Sequence, residues 1–268
     1  MSDRAPSGID TTTAHAARRY DYWLGGKDNF AADRESGDAI AEKFPAIRTA
    51  VVENRRFLRR AVSFLAGEAG VRQFLDIGTG LPTAENTHEV AQAIAPESRI
   101  VYVDNDPLVL VHARALLTSS EQGRTAYIDA DLREPEKILG DPHLPATLDL
   151  TRPVALMLVA TLHFLDEQDD PYAIVRRLVA ALPAGSYLVV SHATSDYLPP
   201  ELIADISSGR HGRGRLRTRA EVTRFFDGLD LLAPGVVPLP EWRSDGEPPP
   251  RPSAAEVAMY AGVALINR

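Results

Sequence analysis

The sequence predicts an α/β fold in which a doubly wound, mostly parallel sheet carries helices on both faces. Helix-like segments alternate with five apolar, strand-like runs that begin near residues 73, 100, 126, 154 and 186. The fourth run, P-V-A-L-M-L-V-A at 153–160, is apolar throughout, as expected for a strand buried on both faces. Polar residues follow the ends of these runs, and ligands of open α/β sheets bind at that edge.

Composition narrows the classes of function. The 268 residues are 44% hydrophobic and 25% charged, which is typical of a soluble globular protein. The absence of cysteine excludes disulfides, thiolate metal sites and a cysteine nucleophile. The seven histidines are scattered singly, so no metal site is predicted.

The chain's charge and termini indicate its surroundings. A net charge of −8 argues against a general nucleic-acid partner, so a small-molecule partner is predicted. No run of about 18 apolar residues is present, so no membrane span is predicted. The first 13 residues lack the apolar core of a secretory signal, which favours a cytoplasmic protein. The oligomeric state stays open, a homodimer included.

Three regions are predicted along the chain. Residues 1–13 are small and polar and are expected to form a flexible arm. Residues 14–70 are predicted to form a helical extension, which includes a long helix at 44–67. Residues 71–268 carry the alternating strands and helices of the main domain.

The extension begins with a stretch unusually rich in aromatic and charged residues. It reads H-A-A-R-R-Y-D-Y-W-L-G-G-K-D-N-F-A-A-D-R-E at 15–35, and the glycine pair at 25–26 is a natural end for a helix. One interpretation is a terminal helix that docks on the core through its aromatic side chains. The other is a lid whose polar residues meet a ligand.

The first strand-like run leads into a glycine turn. The stretch Q-F-L-D-I-G-T-G-L-P-T at 73–83 has the strand, turn and helix order that lets the backbone approach a nucleotide closely. Gly78 and Gly80 have no Cβ, so they leave room for a ligand and accept positive φ. An ordinary strand-to-helix turn is the alternative interpretation.

Two acids follow the next two strands. Asp104 ends the run R-I-V-Y-V-D, where an acid of a nucleotide-binding unit accepts hydrogen bonds from ribose hydroxyls. Asp131 follows the third strand, where a carboxylate is suited to an exocyclic amine such as adenine N6, with the backbone N–H of Leu132 beside it. The alternatives are a helix cap and a turn carboxylate. Asp106, which precedes Pro107, is predicted mainly to cap the next helix.

Three polar residues are predicted at the ends of the fourth and fifth strands. Thr161 and His163 follow the fourth run, and His192 is expected just past the fifth strand, although a lone histidine is more often structural. The segment 207–219 holds five arginines and no acid, which favours an exposed loop over a flap that neutralises an anionic substrate. Residues 231–238 and 258–266 are predicted to be the last two strands.

These motifs together support a family resemblance. F-L-D-I-G-T-G at 74–80, V-Y-V-D at 101–104, Y-I-D-A-D-L at 127–132 and the motifs between 162 and 192 resemble those of class I methyltransferases that use S-adenosylmethionine. The opening R-R-Y-D-Y-W-L-G-G-K-D-N-F at 18–30, with R-T-R-A-E-V-T-R-F-F-D-G-L-D-L at 217–231, resembles one actinobacterial S-adenosyl methyltransferase family once known only as a domain of unknown function. The resemblance covers about residues 14–266. Pro82 stands where the commoner glycine pattern has a third glycine.

The resemblance implies a Rossmann-like, seven-stranded, mostly parallel sheet with a C-terminal β-hairpin and an N-terminal helical lid. It implies S-adenosylmethionine as cofactor and methyl transfer to an unidentified small-molecule acceptor. The cofactor-binding residues it implies are Tyr20, Asn29, Asp76, Gly78, Thr79, Gly80, Asp104, Asn105, Asp131, Leu132 and Thr161. Candidate bases for an oxygen or carbon acceptor are His163, His192 and Tyr22, with Tyr20 also considered.

Three other functions remain open from the sequence. A nicotinamide-dependent oxidoreductase would share a similar fold, but G-T-G-L-P-T lacks the third glycine of its motif. A non-catalytic S-adenosylmethionine-binding regulator would use the same crevice without transferring a methyl group. A purely structural or interaction protein would leave the acids at the strand ends unexplained.

Overall fold

The computed structural model describes residues 9–83, 85–116, 119–209 and 213–267. The first eight residues of the predicted arm and residues 210–212 of the arginine-rich loop lie outside this description. The side chains of 113–116 are also outside it.

Eight strands form one sheet, and five of them are the predicted parallel strands. Their order in the sheet is β3-β2-β1-β4-β5-β8-β6, with β7 also paired to β8. The strands β1 to β5 pair in parallel, and β8 runs antiparallel to β5. In chain order the strands are β1 (Gln73–Ile77), β2 (Arg99–Asp104), β3 (Arg124–Asp129), β4 (Ala155–Val159), β5 (Ser186–Ala193), β6 (Asp230–Leu231), β7 (Val237–Pro238) and β8 (Met259–Ile266).

The C-terminal hairpin is confirmed, but its first strand is split in two. Asp230–Leu231 pairs with the far half of β8 and Val237–Pro238 pairs with the near half. Between them the N–H of Gly235 donates to the carbonyl of Leu232 at 2.8 Å, which closes a turn. Pro234 in this turn has no N–H for a ladder, so a continuous strand over 231–238 does not form. The sixth predicted strand is therefore β6 and β7.

Eleven helices surround this sheet within the described residues. The predicted long helix begins at Ile47 and ends at Gly67. The helix expected to end at the glycine pair 25–26 ends at Trp23, and Leu24 caps it. The helices are α1 (Ala16–Trp23), α2 (Ala31–Lys43), α3 (Ile47–Gly67), α4 (Thr87–Ile94), α5 (Pro107–Leu116), α6 (Pro135–Gly140), α7 (His143–Thr147), α8 (Pro171–Ala180), α9 (Pro200–Ser207), α10 (Arg219–Thr223) and α11 (Ala254–Val257).

The helix starts follow ordinary capping chemistry. Asn86 and Glu89 form a capping box at the start of α4, and Thr218 and Glu221 form another at α10. Asp106 accepts from the N–H of Leu108 at 2.9 Å at the start of α5, as predicted from the sequence.

Apolar side chains bury both faces of the sheet. On one face α3 contributes Phe57 and Leu65 to a cluster that contains strand residues such as Phe74 and Met157. On the other face α8 packs on alternate strand residues, for example Leu178 near Leu156 in the same cluster. Because β1 pairs in parallel with both β2 and β4, the carboxyl ends of these three strands lie side by side at one edge of the sheet.

Candidate functional site

The turn after β1 is built from two glycines with positive φ. Gly78 has φ +77° and Gly80 has φ +69°, a region that other residues rarely adopt. A Cβ on Gly78 would lie only 2.0 Å from Cγ2 of Thr161, so this turn lies directly against the end of β4. A Cβ on Gly80 would meet nothing within 4 Å, so open space adjoins the turn at that residue.

Asp104 lies at the end of β2 and is held by this turn. Its Oδ2 accepts from the N–H of Gly80 at 2.8 Å, and its Oδ1 accepts from the N–H of Asp106 at 2.9 Å. Asp104 is only 7% exposed, and this burial raises the pKa of its carboxyl above the usual range. Each oxygen retains acceptor capacity, because a carboxylate oxygen has two lone pairs.

Asp76 is a second buried acid beside the same turn. Its Oδ2 accepts from Oγ1 of Thr87 at 2.6 Å. Burial raises the pKa of Asp76 to about 6, an effect that the Thr87 hydrogen bond only partly offsets. Thr79 is tied to the same residue, since its Oγ1 donates to the backbone carbonyl of Asp76 at 3.1 Å.

Asp131 follows β3 and is engaged by its neighbours. Nδ2 of Asn105 donates to its Oδ2 at 2.7 Å, and Nη1 of Arg133 lies 3.0 Å from the same atom. The N–H of Arg133 donates to Oδ1 at 2.8 Å. Within the described part of the chain, the N–H of Leu132 has no acceptor. The sequence did not indicate Arg133, which competes with any ligand for this carboxylate.

The first helix is fastened to the sheet next to Asp104. Nε and Nη2 of Arg18 each donate to the carboxylate of Asp106 at 2.9 Å, and both side chains are buried. His15 Nδ1 lies 3.1 Å from the same carboxylate. A bidentate pair of this kind fixes both position and orientation, so α1 is held over the carboxyl edge of the sheet.

Tyr20 joins α1 to the ends of β4 and β5 through a buried chain of hydrogen bonds. Its hydroxyl accepts from Nδ2 of Asn54 at 2.9 Å, while Oδ1 of Asn54 accepts from Oγ of Ser191 at 2.6 Å. The N–H of Ala160 in turn donates to Oγ of Ser191 at 2.9 Å. Ala160 has φ +57°, so this chain of bonds holds a bend that the backbone would otherwise avoid.

Asn29, the other predicted residue of the N-terminal segment, holds its own loop together. Its Nδ2 donates to Oδ2 of Asp21 at 2.8 Å and to the carbonyl of Gly26 at 3.1 Å. Nη1 of Arg34 donates to its Oδ1 at 3.1 Å. In this arrangement the amide of Asn29 closes the turn after α1.

A cavity of about 170 Å³ lies between α1 and the ends of β4 and β5. Its walls are mainly apolar and come from parts of the chain that are far apart in sequence. The residues from the N-terminal part are Ala16, Arg19, Tyr20, Trp23, Ile40, Phe44, Ile47, Ala50 and Val51. The others are Ala160, His163, Phe164, Ala193, Leu198, Ile206, Arg213, Gly214, Arg215, Leu216, Val257, Ala258 and Met259.

The three predicted bases occupy different places. His163 lines the cavity in a 3₁₀ helix after β4, where burial and then Arg217 lower its pKa to about 4. Tyr22 does not line it, since its hydroxyl donates to Oδ1 of Asp38 at 2.7 Å near the surface. His192 was expected past the end of β5, but it lies inside this strand and is 0% exposed.

His192 is held in a buried cluster rather than at the cavity. Its Nε2 lies 3.0 Å from Nη1 of Arg217, and its ring stacks on Phe225 at 5.9 Å. Burial, followed by the nearby His163, lowers the pKa of His192 well below its usual value. The run S-Y-L-V-V-S-H-A at 186–193 predicts this strand with its observed bounds, so the error lies in placing His192 beyond the strand end and not in the strand itself.

The arginine-rich segment is packed more tightly than the sequence indicated. Arg217 is 0% exposed and donates to the backbone carbonyls of Leu162 and Leu165, both at 3.2 Å. The N–H of Arg215 donates to the carbonyl of His163 at 2.8 Å. The expectation of a simply exposed loop holds for the side chain of Arg213, but it is wrong for 214–217, which are half-buried or buried. Residues 213–216 form one wall of the cavity.

The comparison with protein families decides which family this architecture represents. The profile of a family described as S-adenosyl methyltransferase matches residues 2–267, nearly the whole chain. The chain belongs to this family. The family's description confirms S-adenosylmethionine as the expected cofactor, and it confirms the resemblance drawn from the N-terminal and central motifs.

Two solved structures resemble this member of the S-adenosyl methyltransferase family over nearly its whole length. A DUF574 family protein from Streptomyces avermitilis is 49% identical, with a TM-score of 0.89 over 96% of this chain and 99% of that one. A candidate methyltransferase from Thermobifida fusca is 42% identical, with a TM-score of 0.91 over 100% of both chains. The actinobacterial origin of these relatives agrees with the predicted branch.

A more distant relative shows how widely the methyltransferase fold is shared. Magnesium protoporphyrin IX methyltransferase from Synechocystis, solved with bound S-adenosylhomocysteine, is 14% identical with a TM-score of 0.53 over 92% of each chain. At this identity the likeness shows the class I fold alone. A comparison with curated proteins finds no match.

The described residues contain no group of three His, Asp or Glu side chains placed to hold a metal ion. None of the described helices combines the length and the apolar character that a membrane span needs.

Several contributors to the site were not found from the sequence. The pairing of Arg18 with Asp106 joins residues that are 88 positions apart, so no local pattern reveals it. Arg19 and Trp23 were recognised only as members of an aromatic and charged segment. The one usable signal was the adjacent pair Arg18-Arg19 inside an otherwise aromatic helix, since charged residues are rarely buried without a reason.

Proposed function

We propose that the chain is an S-adenosylmethionine-dependent methyltransferase whose donor lies in the crevice at the ends of β1, β2 and β3 and whose small-molecule acceptor lies in the adjoining cavity. One observation supports this assignment above the others. The glycine turn after β1 lies against Thr161, and Ala160 and His163 on either side of that residue line the apolar cavity. The two sites therefore meet at Thr161.

The residues at the ends of β1 and β2 fit the ribose and amino-acid part of the donor. Asp104 keeps one free lone pair on each oxygen, which suits two neighbouring ribose hydroxyls. The open space at Gly80 lets a ligand approach the backbone closely. Asp76 and Thr79 complete this end of the crevice, and the negative charge of Asp76 complements a cationic donor.

The residues after β3 fit the adenine part. The unpaired N–H of Leu132 is suited to a ring nitrogen, and the carboxylate of Asp131 to the exocyclic amine. Asp131 already accepts from Asn105 and Arg133, so one of these bonds must lengthen when an amine binds. Asn105 is the more exposed partner, and we assign the exchange to it.

Helix α1 is the part of the N-terminal segment that covers the proposed site. Tyr20 and Trp23 line the cavity, while Arg18 anchors α1 beside Asp104. This placement fits the predicted lid, and it keeps water away from the space where donor and acceptor would meet. Asn29 contributes indirectly, because it stabilises the turn that follows the helix.

The cofactor supplies an electrophilic methyl group on a positively charged sulfur, with a neutral thioether as leaving group. The chain's own contribution is then mainly alignment and exclusion of water, and alignment alone is worth about 7 to 11 kcal/mol in well-oriented reactions. His163 is the predicted base that lines the cavity, and it is neutral above about pH 4. A base this weak suits an acceptor that loses its proton easily.

Calorimetric titration tests the donor site. The wild-type protein is titrated with S-adenosylmethionine, S-adenosylhomocysteine and NADH, alongside Asp104→Ala and the surface control Asp227→Ala. Micromolar binding of both sulfur ligands is expected in the wild type and in the control, with loss of at least tenfold in Asp104→Ala because a charged hydrogen-bond acceptor is removed.

The titration also separates this function from the alternatives. Binding of NADH instead would favour an oxidoreductase and contradict the proposal. Binding of the sulfur ligands, without transfer of a labelled methyl group to any compound in a broad acceptor screen, would favour a regulator that binds the cofactor without catalysis.

A further inference from the structure

Arg19 stands out among the charged residues that line the cavity. It is 7% exposed, and its Nε is buried without a hydrogen-bond partner. The one hydrogen bond that its guanidinium makes among the described residues is long, 3.4 Å from Nη1 to Oγ of Ser36. A buried guanidinium with so few partners is costly, because it loses the hydration that an exposed arginine keeps.

The nearest acid does not complete Arg19. Burial lowers the pKa of Arg19, and the nearby Asp33 offsets this lowering only in part. The two oxygens of Asp33 accept from the N–H groups of His15 and Phe30 at 2.8 and 2.9 Å. Among the described residues, no carboxylate lies within ion-pair distance of the Arg19 guanidinium. Part of its donor capacity is therefore left for a ligand.

The two other arginines of the cavity differ from Arg19 in this respect. Arg213 pairs with Asp166 at 2.6 Å. Arg215 pairs with Glu167 at 2.8 Å and with Glu221 at 2.7 Å. Both are also more exposed than Arg19. They belong to the rim and carry their own counter-ions.

The rest of the cavity selects for apolar, flat molecules. Trp23, Phe44 and Phe164 line it together with aliphatic side chains such as Ile47 and Leu216. An apolar cavity of about 150 Å³ is known to hold benzene, so about 170 Å³ suits a body of one or two rings. Apolar walls with one convergent charge are typical of small-molecule sites.

We propose that the cavity receives an acceptor that combines an apolar ring system with a carboxylate, and that Arg19 binds this carboxylate. That this ligand is the methyl acceptor rests on the proposed methyltransferase function. Its chemistry rests only on the cavity walls and Arg19. The guanidinium would hold the carboxylate at the α1 wall, which leaves the ring to extend toward Ala160 and the ends of the strands. Arg19 is thus a residue that determines specificity.

Matched probes test the proposal by binding alone. Benzoate and 2-naphthoate are compared with benzamide and 2-naphthamide, which have the same shape without the charge. Each is titrated by calorimetry into the wild type, Arg19→Gln, Arg19→Lys and the control Arg176→Gln, with and without saturating S-adenosylhomocysteine. Arg176 is an exposed residue of α8 that does not line the cavity. Circular dichroism and thermal unfolding verify that each variant folds.

The expected result is a preference of the wild type for at least one carboxylate over its amide of about tenfold or more. Arg19→Gln should lose this preference, Arg19→Lys should keep part of it, and Arg176→Gln should keep it fully. Equal binding of acid and amide by the wild type, no binding of either carboxylate, or an unchanged preference in Arg19→Gln would overturn the proposal.

The donor titration keeps the two proposals apart. If Arg19→Gln instead weakens S-adenosylhomocysteine binding and leaves the probe preference unchanged, then Arg19 holds the carboxylate of the donor, and the inference is wrong. If S-adenosylhomocysteine does not bind to the wild type at all, the proposed function fails, while the carboxylate preference is still measured without donor.

Discussion

Gly78 brings the turn after β1 into contact with Thr161, which follows β4. The contact leaves no room for a Cβ, and the positive φ of Gly78 adds strain for any other residue. Gly80 has a similar φ but faces open space, so the two glycines serve different purposes. The first permits close packing of two strand ends, and the second leaves space for a ligand.

Alanine substitutions separate these two purposes. Gly80→Ala should cost about 1–2 kcal/mol of unfolding free energy, since only backbone strain is added. Gly78→Ala should cost clearly more, because its Cβ also collides with Cγ2 of Thr161. Urea unfolding measures both.

The control for the collision is Thr161→Ser, which removes Cγ2. The double variant Gly78→Ala/Thr161→Ser should recover part of the stability lost in Gly78→Ala. Equal stability of Gly78→Ala and Gly80→Ala would show that the contact with Thr161 carries no cost.

The buried carboxyl of Asp76 makes stability depend on pH. Its pKa is about 6 in the folded chain against 3.8 for an ordinary aspartate, so the folded state binds the proton more tightly. The free energy of unfolding therefore decreases as the pH rises from about 4 to about 6. Asp76→Asn has no such proton, and its stability relative to the wild type should increase by about 2 kcal/mol from pH 4 to pH 7.

Urea unfolding of both proteins across this pH range measures the difference. S-adenosylmethionine binding at pH 7 should weaken in Asp76→Asn, because a negative charge near the cationic donor is lost. A difference between the two proteins that stays constant from pH 4 to pH 7 would contradict the buried, proton-binding state of Asp76.

At the scale of single residues the sequence was a good guide to chemistry and a poor guide to partners. The positions of Asp104 and Asp131 after their strands were predicted, because strand ends are local features. Their neighbours were not, since Arg133 and Arg18 reach their acids through the folded backbone. His192 shows the same limit, because its strand was predicted correctly, whereas its buried contacts with Arg217 and Phe225 come from residues distant in sequence.

Among the elements, α1 depends most on a single long-range contact. The carboxylate of Asp106, to which Arg18 binds, also caps α5 and has a side chain with 0% exposure. The same pair therefore fixes α1 and the start of the helix that follows β2. Loss of the arginine would leave a buried charge without its main partner.

Breaking this pair should be costly, and removing the charge should relieve the cost. Arg18→Met is expected to lower the free energy of unfolding by about 3–5 kcal/mol, because Asp106 remains buried and charged. Arg18→Met/Asp106→Asn should recover most of this loss, since the asparagine still caps α5 and carries no charge. Urea unfolding at pH 7 compares the two; equal losses would mean that the arginine contributes mainly by packing.

Element boundaries followed from local signals more closely than their tertiary roles did. The glycine pair after Trp23 and the capping boxes at α4 and α10 mark ends that the sequence displays. The split between β6 and β7 was missed, because the apolar run 231–238 outweighed the turn signal of Pro234-Gly235 inside it. Helix α9 was not predicted either, although Pro200 at its first position and the spacing of Leu202 and Ile206 are helix signals, because its eight residues give only a short pattern.

For the molecule as a whole, the question is whether the N-terminal part unfolds with the sheet. The division at residue 70 was predicted from composition and stays a prediction. Phe57 of α3 lies in the same apolar cluster as the strands, and α1 is joined to the sheet by Arg18. These contacts favour one cooperative unit.

The two tryptophans give a direct measurement of this cooperativity. Trp242 is buried against Phe57 and Phe64, whereas Trp23 lines the cavity on α1. In Trp242→Phe, the fluorescence of Trp23 should change at the same urea concentration as the circular dichroism of the whole chain. S-adenosylhomocysteine at a hundredfold excess over Kd should raise the unfolding free energy seen by both probes by about 2.7 kcal/mol.

A fluorescence change at lower urea than the circular dichroism would show that the N-terminal helices open first. In Trp23→Phe the same comparison, read from Trp242, is the matched control, because that residue reports on the core. Stabilisation by the ligand of one probe alone would locate the donor contacts in one part of the chain.

The origin of the cavity walls has a consequence for how new enzymes of this kind arise. Under the proposed function, the donor crevice is made by turns at the strand ends, whereas α1, α3 and the segment 213–216 together supply half of the residues that line the cavity. Substitutions in those walls would then change the acceptor and leave the donor contacts at the strand ends in place. The same fold could thus acquire new acceptors through evolution or through engineering, by substitutions in one part of the cavity wall at a time.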